Sequence, residues 1–395
     1  MRILVLAWEF PPRIVGGIAR HVAGLLPEVV RWGHTAHLLT VTAANAPNYE
    51  VVKGIHVHRL PIPEQRDFFQ WVKGMNRVMV EWGHKLIQEQ GFDLLHAHDW
   101  LVAEAAVQLA EQTKLPLIAT IHATEYGRHN GIHNDSQRYV SDQERLLASA
   151  ACRVIVCSQY MLKEVGWALG CPPPKVDVIY NGINPEQSYV PQFDREPWRA
   201  QFAPPDSKII YYIGRLSHEK GIFVLLNAMP RVLEGMGGKV HCVIVGTGHP
   251  GHELFLKRQA EQLGIKDKVI FTGFMADEDL PKLRSVADCA VFPSLYEPFG
   301  IVALESFAAG VPVVVSNTGG LPEVVEDGVT GIVTKVNNPQ SLAEGILRVL
   351  QDAELAQTLV NHAKAVLPHK FNWQKLAQQT IETYHKCLTA RRGEV

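Results

Sequence analysis

Short β-rich runs alternate with amphipathic helical segments along this chain, and the alternation runs through twice. That pattern restricts the fold to parallel sheets flanked by helices. Arg2 to Ala7 predicts a first strand, Ile18 to Arg31 a helix and Thr35 to Val41 a second strand. Apolar runs follow at Leu94 to His96, Leu117 to Ile121, Val154 to Cys157 and Val176 to Ile179. The pattern restarts at Lys208 to Ile213, continues with a helix from Gly221, and then a strand at Val240 to Val245. A helix near Glu253 to Leu263, strands at Val269 to Thr272 and Cys289 to Phe292, a helix from Gly300 to Ala309, and a run at Val311 to Val315 complete it. The polar, Pro-bearing stretch Asn184 to Ser207 reads as a linker. The expectation is two doubly wound α/β domains facing each other across a cleft, residues 1–183 and 208–372 joined by 184–207. A last helix, Trp373 to Thr389 within 373–395, follows the second sheet and is expected to return to the first domain.

Composition excludes several alternatives. With 395 residues, 47% hydrophobic, the chain can bury two or three cores. Its 38 Lys+Arg against 40 Asp+Glu leave a net charge of −2, which gives no overall attraction to nucleic acid. The opening MRILVLAWEFPP has too short an apolar stretch for a signal peptide, and no run approaches a membrane span of about 20 residues. A cytoplasmic protein is expected, with the six cysteines as free thiols in a reducing compartment.

A nicotinamide-binding unit would need G-x-G-x-x-G after the first strand and an acid near the end of the second. The first turn reads WEFPPRIVGGIAR and the second strand ends Leu39-Thr40-Val41-Thr42, so neither is present. A G-x-x-x-x-G-K-[ST] phosphate loop is also missing from the sequence. The chemistry concentrates instead in the second half. YEPFGIVALES places Glu297 eight residues before Glu305, with Gly300 leading into a helix whose first N–H groups can hold an anion. Glu305 could accept both hydroxyls of a ribose, and Glu297 can reach a sugar. IGRLSHEKG supplies Arg215 and Lys220 ahead of another helix, a guanidinium and an ammonium suited to a pyrophosphate that gains charge as its bond breaks.

EPFGIVALE, GRLSHEKG, the VGTG turn at Val245 to Gly248 and FTGF at Phe271 to Phe274 together resemble glycosyltransferase family 4. EFPPRIVGGIARH, HAHDW, TIHATEYGRH and VIYNGIN are similar to its glycogen-synthase-like branch, so nearly the whole chain is covered. The resemblance implies the GT-B fold and a retaining, metal-independent enzyme with an acceptor-side first domain and a donor-side second domain. It assigns Arg215 and Lys220 to the donor diphosphate, Glu305 to the ribose and Glu297 to the transferred sugar. Phe299, Gly300, Ile301 and Val302 would offer backbone N–H groups, while Gly246 and the backbone near Met275 would border the nucleotide. His122 would touch the sugar near the reacting centre, and Gly16 and Gly17 would let the first loop approach the phosphates. Asp99 and Glu125 are the candidates on the acceptor side. Asn184 stands where the family often has Asp, and Glu64 to Glu89 is the least family-typical region.

Rival readings remain in view. His96, His98 and Asp99, with His122, His129 and His133, could suggest a metal, but alternate residues at a strand end space poorly for one ion. Asp99 could equally cap the helix beginning at Trp100. No metal is therefore expected, and no cofactor besides a nucleotide-sugar co-substrate, with a UDP-hexose favoured. RDFFQWVKGMNRVMVEWGHKLI carries Phe68, Trp71, Val72, Met75, Met79, Trp82 and Leu86 at helical spacing, with Arg66, Lys73, Arg77 and Lys85 interspersed. A core-packing helix is favoured there; the wall of an acceptor groove and a peripheral contact through 66–89 with the inner face of a membrane are the alternatives. The favoured function is hexose transfer, glucose from UDP-glucose, to a glycan or lipid-linked saccharide in polysaccharide biosynthesis. A nucleotide-sugar epimerase or phosphorylase, and a non-catalytic nucleotide-sugar binding protein, are the competing readings.

Overall fold

A computed structural model of the protein describes residues 1–184 and 192–392. The chain forms two compact units, Met1–Gly182 together with Asn372–Val395, and Ile183–Phe371.

The first unit opens with β1 (Arg2–Leu6), α1 (Gly17–Arg31), β2 (Thr35–Val41), a hairpin of β3 (Tyr49–Val52) and β4 (Ile55–Leu60), and α2 (Phe68–Gln90). It continues with β5 (Leu94–His98), α3 (Ala103–Thr113), β6 (Leu117–Ile121), α4 (Glu125–His129), α5 (Asp135–Ala150), β7 (Arg153–Val156), α6 (Gln159–Leu169) and β8 (Val176–Val178). Its eight strands lie in the order β3-β4-β2-β1-β5-β6-β7-β8, all parallel except the antiparallel edge strand β3. Central strands such as β5 and β6 are buried along their whole length, as parallel strands covered by helices on both faces must be.

The second unit holds α7 (Arg195–Ala200), β9 (Lys208–Ile213), α8 (Ile222–Gly235), β10 (Val240–Val245), α9 (Pro250–Gln262), β11 (Val269–Gly273) and α10 (Leu280–Val286). It closes with β12 (Cys289–Phe292), α11 (Ile301–Ala309), β13 (Val313–Ser316), α12 (Leu321–Val324), β14 (Ile332–Thr334), α13 (Pro339–Gln351) and α14 (Ala353–Lys370). Its six parallel strands run β11-β10-β9-β12-β13-β14, a Rossmann order that reverses between β9 and β12. In the first sheet the reversal falls between β1 and β5. Two Rossmann-like α/β sheets are the GT-B composition that the resemblance implies.

The terminal helix α15 (Trp373–Arg392) belongs to the first unit. Trp373, Leu376, Ala377, Ile381, Tyr384 and Cys387 join one buried cluster with Ile3 and Val5 of β1 and Val22, Leu25 and Leu26 of α1. This helix therefore finishes the first core with residues from the far end of the chain. It is also tied covalently, because Cys152 and Cys387 form a disulfide with Cα atoms 6.0 Å apart. The expectation of six free thiols is corrected to four, Cys157, Cys171, Cys242 and Cys289, all buried. A separation of 235 residues hides such a pair from the sequence.

The stretch read as a linker is also corrected. Residues 185–191 of it lie outside the described residues, and α7 packs into the second unit. Arg199 donates to the Val286 and Ser207 carbonyls, and Arg195 donates to Ser285 O at 2.5 Å.

Helix α2 begins where the Asp67 carboxylate accepts the Gln70 N–H at 2.8 Å and stops at Gly91. Val72, Met75, Met79 and Leu86 are buried, as the helical spacing predicts. Asn76, also buried, donates to Val72 O and Leu101 O and accepts from Ala105 N, each at 2.8 Å, which ties α2 to the start of α3. Phe68 and Trp82 remain half-exposed. Among the described residues, no helix is long and apolar enough to cross a membrane.

Candidate active site

In open α/β sheets ligands bind at the carboxyl ends of strands where the strand order reverses. In the second unit those ends belong to β9 and β12, and the loops that leave them carry Arg215 to Lys220 and Glu297 to Gly300. Two backbone bonds stitch the loops together, since Leu295 N and Tyr296 N both donate to Glu219 O, at 2.8 and 3.2 Å. Lys220 and Glu297 meet as a consequence, with Nζ 2.7 Å from Oε2 and both side chains largely shielded. Arg215 stays outside this pair and over half-exposed, its Nη2 3.4 Å from Glu219 Oε1. Burial works against the charge on Glu219, but the Ser217 hydroxyl donating at 2.7 Å and the Arg215 charge outweigh it and hold the carboxyl below its usual range.

Gly300, at φ 109°, is the N-cap of α11. A Cβ there would stand 2.6 Å from Leu321, and the positive φ is one that only glycine adopts without strain. Ile301 and Val302 follow as the first residues of a helix whose opening N–H groups have no intrahelical partners, a site of positive potential. Phe299 is buried edge-on against Phe371, with ring centroids 6.0 Å apart. Glu305 is buried one turn further on, where its carboxylate forms an ion pair with the equally buried Arg284 of α10. Arg284 belongs to none of the sequence motifs, and the sequence alone does not single it out. Nor does it single out Gly319 and Gly320, whose backbone lies directly on the Glu297 loop: Gly320 N donates to Glu297 O at 2.9 Å, and a Cβ on Gly319 would stand 1.9 Å from that oxygen. Gly246 closes the β10 turn against the end of β11 through a 2.9 Å bond to Gly273 O, with Met275 two residues beyond.

In the first unit the loops after β1, β5 and β6 form the corresponding edge. Glu9, which the sequence reading passed over, is buried at the start of α1 and accepts the N–H groups of Val15 (2.6 Å), Gly16 (2.9 Å) and Ala19 (3.2 Å). Burial pushes its carboxyl up, opposed by those three amides and Arg13. The amide of Gly16, expected to approach phosphates, is thus already engaged by an internal carboxylate, while Gly17 remains exposed.

His122 follows β6, and its Nε2 lies 3.1 Å from Nδ1 of His98, the last residue of β5. His21 of α1 packs against both, with ring centroids 4.8 Å from His122 and 5.3 Å from His98. Asn181 Oδ1 accepts from His21 Nδ1 at 2.6 Å, which leaves Nε2 as the bare nitrogen, and that atom has no partner. Burial depresses all three, His21 to about 4 and His98 and His122 well below the usual value, so the cluster is neutral at pH 7. His96 is structural: Nδ1 bonds Tyr384 Oη at 2.8 Å and Nε2 bonds Thr120 Oγ1 at 2.7 Å.

The histidines that gather are therefore His21, His98 and His122, and not the set suggested by local spacing; His129 and His133 are exposed and bond elsewhere. Their nitrogens lie within 4.8 Å of one another.

Asp99 does not cap the helical turn at Trp100; its Oδ1 accepts the His122 N–H at 3.3 Å instead. Burial raises its carboxyl to about 6, against the pull of Arg128 and that amide. Glu125 pairs with Arg128 (2.8 Å) and His129 (3.1 Å), and its N–H donates to Glu144 Oε1 at 2.8 Å. Thr124 caps α4 by accepting the Gly127 N–H at 2.9 Å, and its hydroxyl donates to Glu164 Oε1 at 2.6 Å. Glu144 and Glu164, both fully buried, thus hold the segment that carries His122 and Glu125.

Residues 194–366 match the model of a family described as glycosyl transferases group 1, and residues 15–187 match that of Glycosyltransferase Family 4. An uncharacterized glycosyltransferase of Methanocaldococcus jannaschii is 38% identical over 97% of this chain and 98% of its own. A glycogen synthase of Mycobacterium tuberculosis is 34% identical over 100% of this chain and 96% of its own. An Anabaena protein solved in complex with UDP-glucose superposes with a TM-score of 0.79 at 23% identity, over 98% of this chain and 100% of that one.

Proposed function

The chain belongs to the family 4, group 1 glycosyltransferases, and from that premise we propose that it is a retaining, metal-independent hexosyltransferase that moves glucose from UDP-glucose onto a growing glycan, free or lipid-linked, in polysaccharide biosynthesis. The second unit acts as the donor domain and the first as the acceptor-side domain. No cofactor is required beyond the nucleotide sugar. The glycogen synthase relative and the UDP-glucose bound by the Anabaena protein support this choice of sugar and donor.

The Lys220–Glu297 pair carries the reading. Negative charge grows on the leaving diphosphate as its bond to the sugar breaks. Lys220, Arg215 and the first-turn amides of α11 supply fixed positive potential for that charge, where other transferases would use a divalent ion. Before donor binds, each member of the pair neutralises and orients the other. A phosphate oxygen then takes over Lys220 and frees the Glu297 carboxylate to accept hydrogen bonds from the sugar hydroxyls. The acceptor hydroxyl attacks the anomeric carbon on the face the diphosphate leaves. The carbon–oxygen bond to the acceptor forms as the bond to phosphate breaks, and the hydroxyl proton passes to the departing phosphate oxygen. Neutral His122 contacts the transferred sugar and adds no competing charge.

The test is acceptor-dependent UDP release from UDP-glucose with glycogen as acceptor, followed by NMR of the new linkage. An α linkage from the α donor, unaffected by exhaustive chelation, is the expected result. No release from any of a panel of nucleotide sugars, a β linkage, or activity restored by one metal after chelation each defeats a part of the reading.

A further inference from the structure

Strand β4 alternates: Ile55 and Val57 enter the core, while His56 and His58 face the side covered by α2. His37 of β2 stands directly beside His56 in register, and the two imidazoles stack at 4.4 Å with planes 7° apart. His58 continues the stack, its Nε2 3.2 Å from His37 Nδ1. Tyr49 of β3 meets His56 Nδ1 through its hydroxyl at 2.9 Å. Across from this row the last turns of α2 bring Trp82, Lys85, Leu86, Glu89 and Gln90, and a cavity of about 380 Å³ lies between them. Tyr49 is 53% exposed, with His58 against its ring at 5.1 Å, and Trp82 is 42% exposed, with the Lys85 ammonium 5.7 Å from its ring centroid, so each ring is partly in water at this groove.

We propose that this groove is a second, non-catalytic saccharide site that holds a segment of uncharged glycan chain. Lys85 and Glu89 lie 3.9 Å apart and offset one another, so the α2 side of the groove offers an ionic ligand little net charge. Burial and the neighbouring imidazoles depress His37 and His58 to about 4, so these two rings add no charge at pH 7. The neutral His37 and His58 rings offer donors and acceptors at their edges, beside aromatic rings with amphipathic character, which suits a molecule of hydroxyls and C–H faces. The cavity is near the small end of ligand sites, at about 300 to 1,000 Å³, and it is open, so a polymer can enter and leave it. The site is built from strand β2, the β3–β4 hairpin and α2, away from the loops that carry His122 and Asp99. It rests on the glycan-transferase reading for the choice of α-glucan as ligand.

Native electrophoresis through gels containing glycogen tests it. The wild-type protein should be retarded, and maltoheptaose should release it. Trp82→Ala and Tyr49→Ala, both at exposed positions and checked for an unchanged melting temperature, should lose at least five-fold of the retardation. They should raise KM for glycogen several-fold and leave kcat with maltotriose unchanged. Glu297→Gln should abolish transfer and keep the retardation, which separates this site from the reaction. An unretarded wild-type protein, or retardation unchanged in both aromatic variants, overturns the proposal; absent UDP release with retardation intact overturns the transferase reading alone.

Discussion

Lys220 Nζ lies 2.7 Å from Glu297 Oε2, an ion pair built by residues 77 positions apart on loops that leave β9 and β12. Lys220→Ala removes a cation from the place where diphosphate charge develops and leaves Glu297 without this partner. Turnover should fall around a hundredfold or more. UDP release measured alongside a thermal melt checks this, and near-normal turnover in a folded Lys220→Ala, Arg215→Ala double variant would sink the assignment.

Arg284 and Glu305 pose a different test, because both are buried. Removing one partner leaves an uncompensated charge in the interior, at a cost of about 3–5 kcal/mol, whereas replacing both by apolar residues of similar size can be close to neutral. Arg284→Met should therefore lower the urea midpoint strongly, and Arg284→Met with Glu305→Leu should restore much of it. Donor affinity separates stability from function: if Glu305 binds ribose, the restored double variant remains weak for UDP-glucose.

How much of this site was legible in the sequence follows from how its parts are encoded. The strands were legible because parallel strands buried on both faces become continuous apolar runs, as in Val240–Val245. Lys220, Glu297 and Gly300 were legible because each sits at a strand-to-helix turn, where exposed charge and glycine stand out. Arg284 was not, since PKLRSV looks like an ordinary solvated helix face until its partner 21 residues away is placed. The β3–β4 hairpin was missed because IHVHRL puts polar histidines on the face toward α2. His21 and His122 are joined by the sheet and not by spacing, and Glu9 acts on amides whose positions exist only after α1 has formed.

Acid should destabilise the protein between pH 7 and 5. His21 is depressed to about 4 and His96 to about 3, burial being the first cause in each. Against an unfolded value of about 6.5, the unfolded chain binds more protons between that pH and the folded values, so stability falls as pH drops through this window. At pH 5 each of these two contributes a loss of roughly 2 kcal/mol. Asp99 opposes them: raised to about 6, it is protonated in the fold while ionised in the unfolded chain, and it favours the fold as pH falls toward 4. Glu9 and Glu144, also raised by burial, act with Asp99, while His98 and His122 act with His21 and His96, and the four histidines outweigh the three acids. Urea midpoints at pH 7, 6 and 5 should decrease steadily; a flat profile would mean the histidines are charged in the fold.

The Cys152–Cys387 bond predicts four titratable thiols of six in denaturant without reductant. Reduction should lower stability by about 2–4 kcal/mol, because a cross-link that closes a long loop restricts the unfolded chain. The loss should be copied by Cys387→Ser under oxidising conditions, with no further effect of reductant on that variant. Six titratable thiols would restore the expectation of a fully reduced protein.

Trp373 offers the sharpest test of how α15 completes the first core. Its indole is buried against α1 and the chain at Gly182, edge-on to His21 with ring centroids 5.3 Å apart. A Cβ on Gly24 would stand 2.3 Å from the indole and one on Gly182 2.6 Å, so both glycines are there to make room for the ring. Trp373→Ala should cost about 3–5 kcal/mol, and Gly24→Ala about 1–3 kcal/mol by overpacking. In the Trp373→Ala background the added methyl enters the vacated space, so Gly24→Ala should become neutral or stabilising. A double-mutant cycle by urea unfolding measures that coupling. Equal costs for Gly24→Ala in both backgrounds would mean that α15 does not pack on α1 in this register, and that the first core closes without it.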